Sequence, residues 1–191
     1  MRSNVRALLL LFLSLIFFSI SSFSQNLLDT TMAKAMSEDG YLDTKIPFKN
    51  FSHTSTGGKI YTNDSLKGKV TFISFWFEAC APCVAEFSAL TSLYKKYGGH
   101  RDFQFLSFTF ETTANALRVI EKYNLKYPVL CIEQKDIHQL IFQLGFPTNI
   151  ITDKSGVISF IKCGGPTEEE KAREIVDSIY VKEIERLLLV E

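Results

Sequence analysis

Val70–Phe77 reads VTFISFWF, eight residues without a charge and mostly aromatic or β-branched. A strand with one wet face alternates apolar and polar side chains, and this one does not. Its composition predicts a central strand buried on both faces, which requires a layer of structure above and below it. Five residues further on, a helix is predicted from about Pro82 to Tyr97. Pro82 suits the first helical turn, where a missing N–H costs nothing. Phe87, Leu90, Leu93, Tyr94 and Tyr97 recur at helical spacing, and Gly98-Gly99 supply a stop.

The pattern then repeats. Phe103–Phe110 reads as a strand, and Thr113–Tyr123 as a helix with Leu117, Ile120 and Tyr123 inward. Pro128–Ile132 is a short strand and Asp136–Leu144 a short helix. Thr148–Thr152 and Val157–Lys162 are two strands joined by the tight-turn sequence Asp153-Lys154-Ser155-Gly156. A last helix opens at Thr167, whose spacing to Glu170 fits a capping box, and buries Ala172, Ile175, Val176, Ile179, Leu187 and Leu188. Upstream, Phe48–Phe51 and Lys59–Tyr61 flank Gly57-Gly58, which suggests a small hairpin. This order predicts an α/β domain over residues 46–191. Its central mixed sheet is mostly parallel, carries helices on both faces and ends in an antiparallel hairpin.

Residues 25–45 are polar and weakly periodic, a linker or a loosely docked arm. Before them, Arg2 and Arg6 precede the apolar run Ala7–Ile20, and Ser22-Phe23-Ser24 places small residues at alternate positions. This is the layout of a secretory signal over residues 1–24, with cleavage after Ser24. The run is short for a bilayer-spanning helix, although an uncleaved anchor is the competing reading. The predicted location is extracytoplasmic, where disulfides form and persist. With 21 basic and 21 acidic residues, the chain has no net charge and no basic cluster, which argues against nucleic-acid binding.

Cys80 and Cys83 lie where the buried strand gives way to the helix. A bridge between residues three apart closes a tiny loop and is a poor staple. A zinc site wants a second close-spaced pair, and Cys131, Cys163, His53, His100 and His138 provide none, so no metal is expected. A Cys-x-x-Cys beside a βαβ pattern instead signals redox chemistry, which needs no cofactor because the two sulfurs hold the electrons. Free N–H groups and the helix dipole favour a thiolate at Cys80. One turn inside, Cys83 is expected to be shielded by the strand and Phe87. The exposed sulfur then attacks a substrate disulfide and the buried one resolves the mixed disulfide. A buried thiol needs a base to do so, and Glu86 lies one turn beyond it. The plainer reading of Glu86 is a first-turn acid that favours the helix dipole.

Gly145-Phe146-Pro147-Thr148 opens a strand with a proline. An ordinary trans proline would serve; a cis Phe146–Pro147 bond would leave the Phe146 backbone free to pair with an extended substrate. Cys131 and Cys163 read as two separate buried thiols, with a mutual disulfide as the alternative.

Trp76-Phe77-Glu78-Ala79-Cys80-Ala81-Pro82-Cys83-Val84-Ala85-Glu86-Phe87 resembles the active-site helix of thioredoxin-fold proteins, and more narrowly of TlpA/ResA-type thiol–disulfide oxidoreductases. The leading Trp, the Cys-x-Pro-Cys and the Glu three residues later fall on Trp76, Cys80, Pro82, Cys83 and Glu86. Lys67-Gly68-Lys69-Val70 matches that family's approach to its central strand, and Thr109 to Leu130 takes the place of its inserted helix and strand. The likeness covers about residues 46 to 188. It implies catalytic roles for Cys80, Cys83 and Glu86, a cis Pro147, and a substrate surface of Trp76, Ala81, Pro82, Phe146 and Pro147. It also implies a reductase of exported proteins, such as apocytochrome c, recharged by a membrane thiol carrier. Ala79 departs from the family, which often has Trp there. Two other activities occur on this fold. A peroxiredoxin-type peroxidase needs a Thr and an Arg near its cysteine, and neither stands in the stretch just before Cys80. Copper-binding assembly factors usually space their cysteines by three residues and add a distal His.

Overall fold

The computed structural model describes residues 41–42 and 46–190. The signal assigned to residues 1–24 lies outside them, as does most of the 25–45 arm. Among the described residues eight strands form: β1 (Tyr41–Leu42), β2 (Ser52–Thr54), β3 (Ile60–Thr62), β4 (Val70–Trp76), β5 (Phe103–Thr109), β6 (Val129–Cys131), β7 (Thr148–Thr152) and β8 (Ile158–Cys163). The helices are α1 (Ala81–Tyr97), α2 (Thr113–Tyr123), α3 (Gln134–Leu140) and α4 (Glu169–Ile175). A π-helical turn, Val176–Tyr180, continues α4 into α5 (Val181–Leu188).

Six strands form one mixed sheet in the order β1-β8-β7-β4-β5-β6, and β2 pairs with β3 separately. The β4–β5 and β5–β6 pairs are parallel. β7 runs antiparallel to β4 and β8 antiparallel to β7. The sheet is thus less parallel than expected, because β1 adds a third antiparallel pair: Tyr41 and Leu42 lie opposite Lys162 and Ile161. The arm contributes an edge strand.

Every residue of β4 is buried, as its nearly continuous apolar run requires. On one face Phe72 and Trp76 pack with Phe87, Leu90 and Leu93 of α1 and with Tyr180; α2 joins this layer through Ala116 and Val119. On the other, Ile73 and Phe75 pack with Leu106, Phe108, Ile150, Phe48, Phe51 and Ile137 of α3. Burying each such phenylalanine stabilises the fold by roughly 2 kcal/mol.

Several boundaries differ from the expectation for identifiable reasons. The hairpin pairs Ser52–Thr54 with Ile60–Thr62, since Phe48 and Phe51 are drawn into the core. In α2, Leu117 is 49% exposed and Ala116 and Val119 face inward instead. α3 stops at Leu140, and Phe142 and Gln143 take positive φ of 57° and 61°. The Thr167 capping box does not form: α4 starts at Glu169 with Glu168 as its N-cap, which moves Thr167 and Glu170 out of register. Gly98 ends α1 without a left-handed turn, at φ −62°. A side chain there would meet the Tyr94 carbonyl oxygen at 2.6 Å, so close approach is what demands glycine. Among the described residues, no helix is long and apolar enough to cross a membrane.

Candidate active site

Cys80 caps α1. Its backbone N–H donates to the Phe77 carbonyl at 3.2 Å, and its φ of −85° and ψ of 96° turn the chain from strand to helix. Cys80 and Cys83 are joined in a disulfide with their Cα atoms 5.2 Å apart. The Cys83 backbone N–H also donates to Cys80 Sγ at 3.3 Å, so a helix-end donor is already aimed at that sulfur. Cys80 is 5% exposed and Cys83 1%. The asymmetry has the expected direction, but the outer sulfur is recessed, not open. Ala79 and Ala81 beside it are exposed and Pro82 is half-buried.

Two carboxylates brace the loop that leads into Cys80. The Glu78 backbone N–H donates to Glu111 Oε1 at 2.9 Å. The Glu78 carboxylate takes a two-pronged hydrogen bond from Arg118 of α2, Nη1 donating to Oε1 at 2.7 Å and Nη2 to Oε2. That guanidinium holds the Glu78 carboxyl below its usual range.

Glu86, one turn past Cys83, is 1% exposed. Its Oε2 accepts from Asn149 Nδ2 at 2.9 Å, and the same amide donates to the Tyr180 hydroxyl at 3.1 Å. Burial raises the Glu86 carboxyl to about 7; the Asn149 amide, the Lys162 charge and the Tyr180 hydroxyl offset part of that rise. A carboxyl titrating there can exchange a proton near neutral pH.

The Phe146–Pro147 bond is cis. The Phe146 ring is half-buried among Phe77, Phe110 and His138, with centroids 5.2, 5.7 and 6.1 Å away. Pro147 is buried, and its carbonyl accepts from the Gly164 N–H at 2.7 Å. Trp76 lies elsewhere than a substrate surface would need. It is 1% exposed, meets Phe87 edge-on with centroids 5.2 Å apart, and donates from Nε1 to Ser107 Oγ at 3.3 Å. Its large ring at the end of a doubly buried strand is drawn into the core.

Cys131 and Cys163 are free and half-buried. They cannot pair. Both stand at the same rim of the sheet as the disulfide, but on β6 and β8, four strand spacings apart. At about 4.8 Å per spacing that is roughly 19 Å, against an upper limit of about 7 Å between bridged Cα atoms.

Asn149, Tyr180 and Gly165 were not identifiable as site residues from their own motifs. An asparagine inside the apolar strand Thr148–Thr152 was the available signal, since a buried amide must find partners.

A mixed sheet whose central strand runs into a disulfide-capped helix, beside a cis proline, defines a thiol–disulfide oxidoreductase of the thioredoxin fold. The chain belongs to the AhpC/TSA family, whose model matches residues 44–161. Within it the protein is of the ResA type. It is 32% identical over 123 residues to the thiol-disulfide oxidoreductase ResA of Bacillus thuringiensis, covering 63% of this chain and 70% of that one. It is 30% identical over 128 residues to the thioredoxin-like protein YneN of Bacillus subtilis, covering 66% and 75%. Among solved structures, a thioredoxin-family thiol:disulfide interchange protein from Chlorobium tepidum superimposes with a TM-score of 0.58 at 25% identity, over 71% of this chain and 96% of that one. A thiol-disulfide oxidoreductase from Bacteroides fragilis, 20% identical, shares the fold with a TM-score of 0.56, over 68% and 98%. These relatives favour thiol–disulfide exchange over the peroxidase and copper-carrier alternatives.

Proposed function

We propose that the protein is an extracytoplasmic reductase of disulfides in exported proteins, apocytochrome c among them, acting through a Cys80/Cys83 dithiol. The observation that carries this reading is a disulfide at a helix N-terminus one turn from a buried carboxyl that titrates near 7. In the reduced protein the Cys80 thiolate attacks a substrate sulfur. The Cys80–substrate bond forms, the substrate disulfide breaks, and the departing thiolate takes a proton. Glu86 then accepts the Cys83 proton, and the Cys83 thiolate attacks Cys80 Sγ. The intramolecular disulfide closes and the second substrate thiol leaves, so two electrons have passed from the pair to the substrate. Half-buried Phe146, with Ala81 and Pro82, offers the contact surface, and the buried cis Pro147 holds the Phe146 backbone beside it. A membrane thiol carrier returns the two electrons. The amino-terminal signal pattern and the relatives' names support the compartment and the chemistry.

An equilibrium titration against glutathione and dithiothreitol tests the direction. A reductase gives a potential well below that of the glutathione pool; a value near those of disulfide-forming catalysts overturns it. Cys83→Ser should accumulate a mixed disulfide through Cys80, and Glu86→Gln should slow release of that adduct more than its formation.

A further inference from the structure

The Glu86 carboxyl must gain and lose a proton, yet it is buried. Its Oε1 and the neighbouring Asn149 Oδ1 have no hydrogen-bond partner among the described residues. On its other sides Glu86 faces Asn149 on β7, Lys162 on β8, Tyr180 in the π-helical turn and Tyr127 ahead of β6. Burial holds both phenols above the ordinary tyrosine range, so neither releases a proton near neutrality.

One direction differs. Gly165 is solvent-exposed, yet a Cβ on it would lie 3.4 Å from Glu86 Oε1 and 3.7 Å from Pro147 Cγ. The carboxyl oxygen therefore lies one backbone's thickness below the surface, under a residue without a side chain. Two features fix the placement. The Gly164 N–H is bonded to the Pro147 carbonyl, and Gly164 takes a φ of +75°, which turns the chain back across the carboxyl. Gly165 itself does not have a positive φ, so its backbone does not demand glycine; the space toward Glu86 is what a side chain would occupy.

We propose that Gly165 is the port through which the Glu86 carboxyl exchanges protons with solvent, and that the size and polarity of residue 165 set the protonation of that carboxyl. Residue 165 is thus a positioning residue, acting through Glu86. The inference rests on the reading of Glu86 as the resolving base and assigns the route by which that base is served.

Two substitutions of nearly equal volume should act in opposite directions. Gly165→Ala places a methyl against Oε1, thickens the cover between that oxygen and solvent and disfavours the charged form. Gly165→Ser adds a hydroxyl that can donate to the carboxylate and favours it. Carbon-13 NMR of glutamate-labelled oxidised protein follows the Glu86 midpoint without reference to catalysis. The midpoint should rise by about half a unit in Gly165→Ala, and the serine variant should titrate clearly below the alanine one. In single-turnover kinetics, Gly165→Ala should slow adduct resolution about twofold at pH 7 and recover by pH 9. Identical midpoints in all three proteins overturn the port. A midpoint that moves while resolution does not leaves the port standing and removes Glu86 from the role of base.

Discussion

A buried carboxyl that titrates at about 7 works against the fold at every pH where the unfolded chain would ionise it. In the unfolded chain Glu86 titrates near 4.3. Below that value both states are protonated and burial of the charge costs nothing. Between about 4.3 and 7 the unfolded chain releases its proton and the folded one retains it, so stability falls as pH rises, by about 4 kcal/mol in all. Above 7 the loss is complete. Glu86→Gln should remove this slope and leave a protein more stable than wild type at pH 8. Urea denaturation at pH 4.5 and pH 8 checks it; equal slopes in the two proteins would refute the assignment of the charge penalty to Glu86. The roles of the two cysteines were legible because spacing and chain context specify their chemistry. Asn149 and Tyr180 were not, because the contact joins residues 63 apart on different elements.

At the scale of elements, local rules succeeded where one rule acted alone. The β4 run and the α1 periodicity specified a strand and a helix with nothing opposing them. They failed where tertiary packing intervened. Leu117 has the apolar character of an inward residue, but the inward positions of α2 are taken by the smaller Ala116 and Val119. No propensity distinguishes the π-helical turn at Val176–Tyr180, which carries the Tyr180 ring under Asn149. Nor did any motif reveal Asn63, which ties the approach to the hairpin. Its Oδ1 accepts from the Phe51 N–H at 2.8 Å, and its Nδ2 donates to the Phe48 and Lys49 carbonyls at 3.1 and 3.2 Å. Asn63→Ala removes three part-buried hydrogen bonds and should cost about 2–3 kcal/mol. A thermal melt reads that loss directly. An unchanged midpoint would show that solvent satisfies those groups as well.

Across the whole molecule, the sheet order separates what the chain order left open. All four cysteines gather at one rim, yet the four spacings between β6 and β8 keep Cys131 and Cys163 apart. Counting thiols in denatured protein should give two before reduction and four after it. Replacing both with alanine should leave the redox midpoint of the Cys80/Cys83 pair unchanged. A shift in that midpoint would mean that one of the outer thiols exchanges with the pair.

Because so little of the Cys80 sulfur meets solvent, contact with it selects by slenderness. A cystine strung on a pliant, unfolded segment can thread between Ala79 and Ala81; the same bond embedded in a rigid globule is kept at a distance. In the reduced protein, the ratio of the iodoacetamide rate to the rate of a bulky maleimide at this sulfur should accordingly be far higher than at a free cysteine of an unstructured peptide.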